Sequence, residues 1–263
     1  MRYLTGRSRT LLRRGSGRSL QMSNETGQIA LEKDRIANFY HDLFVKSQVE
    51  GFARICAPGL DRDKVVSDMG GGCGFFARAV ERELGLRVRV VDADSISVET
   101  AVQDGLQAFV GDALAWSPLG DESAACFNLI LHHLVGRSES ETLRLQLNAL
   151  DRWKCADVRV FVHEYIYDSY VGELSGALIY RITGSRLLSS LAEIVSRVVP
   201  DLRANTFGVG VRFRAEKEWR RIFESQGWRV EGYCRGREEG VSFPRRMLLI
   251  KSCRRDSFVL VRS

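Results

Sequence analysis

Four glycines crowd five positions in Gly70-Gly71-Gly72-Cys73-Gly74, between an apolar run, Val65 to Met69, and a helical-looking segment, Phe75 to Leu84. A glycine cluster acquires meaning as a ligand cradle when a strand leads into it and a helix leaves it. Glycines turn the backbone sharply and let a ligand approach with no Cβ in the way. The helix behind them offers N–H groups and a partial positive charge. Such a cradle suits a phosphate, and equally the carboxylate of an amino acid. Asp68, at the strand end, separates the two. It would repel a pyrophosphate, and it suits a ligand that carries an ammonium group.

Apolar periodicity along the chain alternates between helix and strand. It predicts a helix over 28–55 and strands over 65–69, 87–92, 107–110, 127–131 and 158–162. Further helices are predicted over 75–84, 97–103 and 138–154. After the fifth strand the rhythm breaks. Residues 165–214 read as an insertion, with helices around 175–198 and a turn at Gly208-Val209-Gly210. A helix over 216–226 and strands over 228–233, 246–251 and 258–261 finish the chain. Alternation of this kind implies a parallel sheet covered by helices on both faces, and strands bunched at the end imply an antiparallel finish. Ligands of such sheets bind beyond the carboxyl ends of the strands.

Two further acids stand at successive strand ends. Asp92 closes the second strand and suits a ribose diol; Asp112 follows the third, beside small Ala113, and suits an adenine amino group. The stretch Val65 to Leu134 resembles the class I methyltransferases that use S-adenosylmethionine (SAM). Asp68-x-Gly70-x-Gly72-x-Gly74 is similar to the first motif of that superfamily. Val90-Val91-Asp92-Ala93-Asp94 resembles its ribose segment, Gly111-Asp112-Ala113 its adenine segment, and Asn128 to Leu134 its fourth-strand motif. Asn128 stands where the family often has an acid, a departure expected to touch sheet stability more than cofactor binding. The resemblance implies an α/β, Rossmann-like three-layer sandwich. Its seven-stranded sheet is mostly parallel with an antiparallel last strand, and here carries a helical cap over 165–214. It also implies SAM as cofactor, held by Asp68, Gly70, Gly72, Gly74, Asp92, Ala93, Asp112, Ala113, Leu131 and His132, with Trp116 against the adenine.

Methyl transfer from a sulfonium needs alignment above all, and a base only where the acceptor is protonated. His132 and His133 close the fourth strand, beside the place where the family transfers its methyl group. His133 is the first candidate for base or acceptor contact, and His132 for packing on the cofactor. His163 ends the fifth strand, and His41 lies in the first helix. Four of the seven tyrosines fall between 165 and 180. Tyr165 and Tyr180 are the candidates for holding an acceptor, with Tyr40 closing from the other side. Arg203, Asn205, Arg212 and Arg214 make the late insertion basic, suited to a carboxylate.

Composition narrows the classes. The net charge is +6, yet six arginines and no acid lie within residues 1–24, so the rest of the chain is formally neutral. That body gives no bulk support for a nucleic-acid partner. Residues 1–24 share the composition of an organellar transit peptide; a solvated basic tail, or a start upstream of a functional Met22, accounts for it more simply. Residues 25–263 then form the SAM-binding domain. No apolar run approaches the roughly 20 residues of a membrane span. Six scattered cysteines without a C-x-x-C pair suit a reducing cytoplasm and offer no metal site. The expected function is methylation of a small molecule at oxygen, nitrogen or carbon. Two alternatives share the cofactor. One is an enzyme that cyclises SAM or transfers its aminocarboxypropyl group, releasing methylthioadenosine. The other is a non-catalytic SAM-binding regulator. The sequence leaves the acceptor and the oligomeric state open.

Overall fold

The computed structural model describes residues 42–202 and 206–263. The basic segment 1–24, the first half of the helix expected over 28–55, Tyr40, His41, Arg203 and Asn205 lie outside them. Seven strands form one sheet: β1 Val65–Met69, β2 Arg87–Asp92, β3 Gln107–Val110, β4 Glu122–Asn128, β5 Arg159–Ser169, β6 Trp228–Cys234 and β7 Ile250–Arg262. Their order is β3-β2-β1-β4-β5-β7-β6. The first five run parallel, and β7 is antiparallel to both β5 and β6. This is the three-layer, seven-stranded arrangement that the resemblance implies.

Helices α1 Asp42–Ile55, α2 Phe75–Leu84 and α3 Ser95–Gln103 cover one face. Phe52, Phe76, Val80 and Ala101 there pack on Val66, Val88, Cys126 and Phe161. Helices α4 Glu139–Asp151 and α7 Glu216–Ser225 cover the other. Leu147, Leu150, Trp153, Trp219 and Phe223 meet Met69, Phe127, Val160 and Phe258. Strand β1 is buried over its whole length, as a central parallel strand must be. Between β5 and α7 the chain forms α5 Leu174–Gly184 and α6 Arg186–Val198; a short helix, α8 Phe243–Arg246, precedes β7.

Three boundaries differ from the periodicity. The fifth strand, expected over 158–162, runs from Arg159 to Ser169, so Tyr165 and Tyr167 stand on the sheet and not in the insertion expected from 165. The fourth strand was expected at 127–131 but runs from Glu122 to Asn128. Its Ala124-Ala125-Cys126 centre lacks the branched residues that mark strands. Its leading acid, Glu122, is buried and paired with Arg89 at 3.1 Å. Leu129 then turns to a left-handed φ of 55°, and Leu131–His133 form a 3-10 turn. At the end of the chain, the two short strands expected over 246–251 and 258–261 are one long strand, β7. Arg254, Arg255 and Asp256 hid its middle, because three charges in a row do not read as a sheet interior. No helix among the described residues is long and apolar enough to cross a membrane.

Candidate active site

The parallel strands point their carboxyl ends to one rim, and the three acids gather there. Gly70, Gly72 and Gly74 all take positive φ, at 72°, 54° and 77°. A side chain at Gly70 would collide with Ile130, and one at Gly74 with Leu106. The loop is tied down by the Gly70 N–H donating to the Val91 carbonyl at 2.7 Å. Helix α2 then opens on Gly74 with no side-chain cap, so its positive end faces the rim.

Asp68 lies fully buried beneath this loop. Asn128 donates to its Oδ1 at 3.0 Å, while Oδ2 has no partner. Burial raises its carboxyl to about 7, with Asn128 opposing the shift and Asp92 adding to it. Gly71, outside the spacing read from the sequence, is the residue that lets the loop cross: a Cβ there would collide with Asp68 Oδ2. Asn128 therefore bears on Asp68 and the glycine loop above it, and not on the sheet alone. An acid at 128 would face Asp68 across the strands, whereas the amide supplies a donor.

Asp92 is half-buried and its two oxygens are used locally. Oδ2 accepts from Gly72 N–H at 2.8 Å and Oδ1 from Asp94 N–H at 2.8 Å, which locks the loop to the end of β2. Burial again raises its carboxyl, against these backbone donors. Ala93 follows, half-buried, and Asp94 caps α3 through the N–H groups of Ile96 and Ser97. Asp112 accepts from Leu114 N–H at 2.8 Å, and Ala113 is buried beside it. Trp116 packs on Gly111, where a Cβ would stand 2.6 Å from its ring, and its ring centre lies 6.0 Å from Phe109.

At the exit of β4, Leu131 and His132 are buried and His133 is half-buried. Glu164, fully buried on β5, organises this turn. Its Oε1 accepts from Leu131 N–H at 2.7 Å and His132 N–H at 3.3 Å; its Oε2 meets His132 Nδ1 at 2.7 Å. With the carboxylate as acceptor, Nδ1 carries the imidazole proton and Nε2 is the basic nitrogen. The rings of His132 and His133 lie 4.2 Å apart. Burial first, then His132, push His133 well below the usual histidine range. Phe213 and Tyr165 complete the aromatic surround at 4.9 and 5.9 Å from the His132 ring. Burial also pushes the Tyr165 phenol well up, so it stays protonated.

The remaining candidates are placed elsewhere. Tyr180 donates to the Gly136 carbonyl at 2.7 Å and accepts from Thr142 at 3.3 Å, so its hydroxyl joins α5 to the start of α4. His163 alternates to the opposite face from Glu164, as the strand period requires. Its Nδ1 meets Ser257 Oγ at 2.8 Å, and burial, with Arg255 nearby, holds its imidazole down to about 3. Arg212 and Arg214 correct an expectation. They are buried and paired with Glu139, Glu218 and Gln146, and Arg214 Nη2 alone is left without a partner. Arg212 bonds Glu139 at 2.9 Å and Glu218 at 2.9 Å; Arg214 bonds Gln146 at 2.8 Å and Glu139 at 2.9 Å. Gln146 in turn donates to the Leu131 carbonyl at 3.0 Å, and Arg212 N–H to the His132 carbonyl at 2.9 Å. The buried network thus braces the histidine turn from behind.

Glu164 and Gln146 were not singled out from the sequence. An acid amid Val160 to Tyr167 was the available signal, since a charge on a buried strand needs partners. A cavity of about 540 Å³ lies at the opposite edge of the sheet, lined by Lys64, Lys154, Arg159 and Arg229 among others. It faces the amino ends of the parallel strands, so it is unrelated to this rim. Among the described residues no cluster of His, Cys, Asp and Glu is arranged to hold a metal ion.

No family model and no curated protein matches the chain. Solved structures do. The MccD protein aligns over 84% of this chain and 97% of its own, with TM-score 0.53 and 11% identity. The geranyl diphosphate C-methyltransferase of Streptomyces coelicolor A3(2), solved with Mg2+, geranyl diphosphate and S-adenosyl-L-homocysteine, aligns over 84% of this chain and 77% of its own. Its TM-score is 0.51 and its identity 11%. A geranyl diphosphate methyltransferase in complex with SAM covers 87% of this chain and 88% of its own, at TM-score 0.51 and 10% identity. The shared property is the fold, that of the class I SAM-dependent methyltransferases.

Proposed function

We propose that this chain is a SAM-dependent methyltransferase acting on a small molecule. The observation that carries the reading is one rim holding a glycine loop with three left-handed glycines, three strand-end acids, and a histidine turn beside them. The residues fit the cofactor chemically. The uncapped positive end of α2 suits the methionine carboxylate. The unpartnered Asp68 Oδ2 suits its ammonium, reached where the loop crosses at Gly71. Asp92 has lone pairs beyond its two backbone bonds for a ribose diol, and Asp112 with Ala113 suits adenine. When bound, SAM supplies the electrophilic methyl carbon.

The chain's own residues then align and manage charge. Glu164 fixes the tautomer of His132 and balances the imidazolium that forms when Nε2 takes a proton from the acceptor. His133, driven far below the working range, stays neutral and shapes the wall. This shifts the base role from His133, the first candidate in the sequence, to His132. Tyr165 lines the acceptor side, while Tyr180 holds the cap in place. The segment that follows β5 returns to the rim through Arg212 and Phe213, beside the histidines.

Product analysis tests the reaction. With SAM and a panel of small acceptors, S-adenosylhomocysteine should accumulate with a methylated product, and His132→Gln should lower turnover while leaving cofactor affinity within a few-fold. Methylthioadenosine as the product would instead mean attack on the methionine chain.

A further inference from the structure

Strands β5 and β7 pair His163 with Ser257, Tyr165 with Arg255, and Tyr167 with Cys253. These residues share the face that carries Phe161 and Val259, where α1 packs. The face therefore runs outward from the core, past the His163 level, to Arg255 at the rim. Arg255 lies over two aromatic rings, its Cζ 4.4 Å from the centre of Phe44 and 5.8 Å from that of Tyr165. Such rings hold a guanidinium in place through its positive charge. Its Nε bonds Glu239 at 3.0 Å, yet its Nη1 is buried with no partner. On the diagonal of the same ladder, His163 is 1% exposed and its Nε2 has no partner either. Two buried nitrogens left without partners on one wall are a costly arrangement unless something else completes them. The Tyr165 ring also meets His132 edge to face, 5.9 Å between ring centres.

Nothing in the cofactor site uses this wall. A guanidinium with an unspent Nη1 is a charged donor for an oxygen of a carboxylate or phosphate. The rings of Tyr165, Tyr167 and Phe213, the last two stacked at 4.4 Å, suit a flat unsaturated body. We propose that Arg255, with His163 beside it, binds the acidic group of the methyl acceptor, so that the substrate is a small aromatic acid or phosphate ester. This rests on the methyltransferase reading for the word acceptor; the anion site itself rests on Arg255 and His163 alone.

Calorimetry on the full chain tests it with three probes: 4-hydroxybenzoate, phenyl phosphate and neutral benzamide, each with and without S-adenosylhomocysteine. At least one anion should bind about tenfold or more tighter than benzamide. Tighter benzoate binding would assign a carboxylate, and tighter phenyl phosphate binding a phosphate. Arg255→Gln should abolish the preference. Glu239→Gln, at a partly exposed position, should widen it by releasing the guanidinium from its counter-ion. That second variant serves where Arg255→Gln fails to fold. Anions that bind no better than benzamide, or a preference that survives Arg255→Gln or is unmoved by Glu239→Gln, would overturn the proposal. An anion preference without any binding of S-adenosylhomocysteine would sink the cofactor reading and leave the anion site standing.

Discussion

Asp68 is the residue whose environment says most about a missing partner. It is a fully buried acid with one donor and one unpartnered oxygen, and burial raises its carboxyl to about 7. Folding thus raises it from 3.8, and its contribution to stability is complete below about pH 4 and lost as pH rises through 7. Asp68→Asn should be more stable than the parent at pH 8, by roughly 1 kcal/mol or more, and the difference should shrink at pH 5. Urea titrations at the two pH values check this; equal differences at both would contradict it. Binding runs in the other direction. A ligand ammonium favours the carboxylate, so cofactor affinity should climb between about pH 5.5 and 7, below the usual α-amino range of about 7.7–8.0. In Asp68→Asn that climb should vanish. Gly71→Ala offers a separate probe, because its methyl group would meet Asp68 Oδ2. It should weaken the cofactor by about tenfold or more while Gly85→Ala, at a helix end in open space, does not.

At the scale of elements, the histidine turn owes its shape to a neighbour on either side. Glu164 holds it from β5, and the Arg212, Arg214, Glu139, Glu218 and Gln146 network holds it from the cap and α4. Burial outweighs both arginines at Glu218 and leaves its carboxyl above the usual range. A charge in such a cluster depends on every partner. Arg214→Met should cost about 1–3 kcal/mol of stability, read by chemical denaturation, since it leaves Glu218 to Arg212 alone and Gln146 Oε1 without its donor. A loss below about 1 kcal/mol would show the cluster relaxes freely. Tyr180→Phe removes two hydrogen bonds and should cost about 1–3 kcal/mol with turnover nearly intact. A collapse of turnover at unchanged stability would return Tyr180 to the chemistry. The contrast marks what a sequence can show. The glycine loop, its strand and its helix are adjacent in the chain, so Asp68 to Gly74 could be read directly, as could the acids at 92 and 112. The partners of the histidine turn come from 139, 146, 164, 212 and 218, and only packing brings them together. Arg212 and Arg214 looked free for a ligand because Glu139 and Gln146 lie 68 to 75 residues before them, although Glu218 stands only four beyond Arg214. Arg255 was invisible because Arg254, Arg255 and Asp256 read as a loop until β5 paired with them.

For the whole molecule, the sheet divides labour along its width. Strands β3, β2 and β1 lead into acids and a glycine loop, while β4, β5 and β7 carry histidines, aromatic rings and an arginine toward the same rim. One half is suited to a cofactor and the other to an acceptor, with the β4 exit between them. The division rests on the first half binding SAM. Calorimetric titration of the full chain with S-adenosylhomocysteine tests it most directly, with Asp92→Ala beside the parent. One molecule should bind per chain, and Asp92→Ala, with its fold intact by circular dichroism, should bind about tenfold or more weakly. No binding to the parent, or equal affinity in the variant, would contradict the assignment.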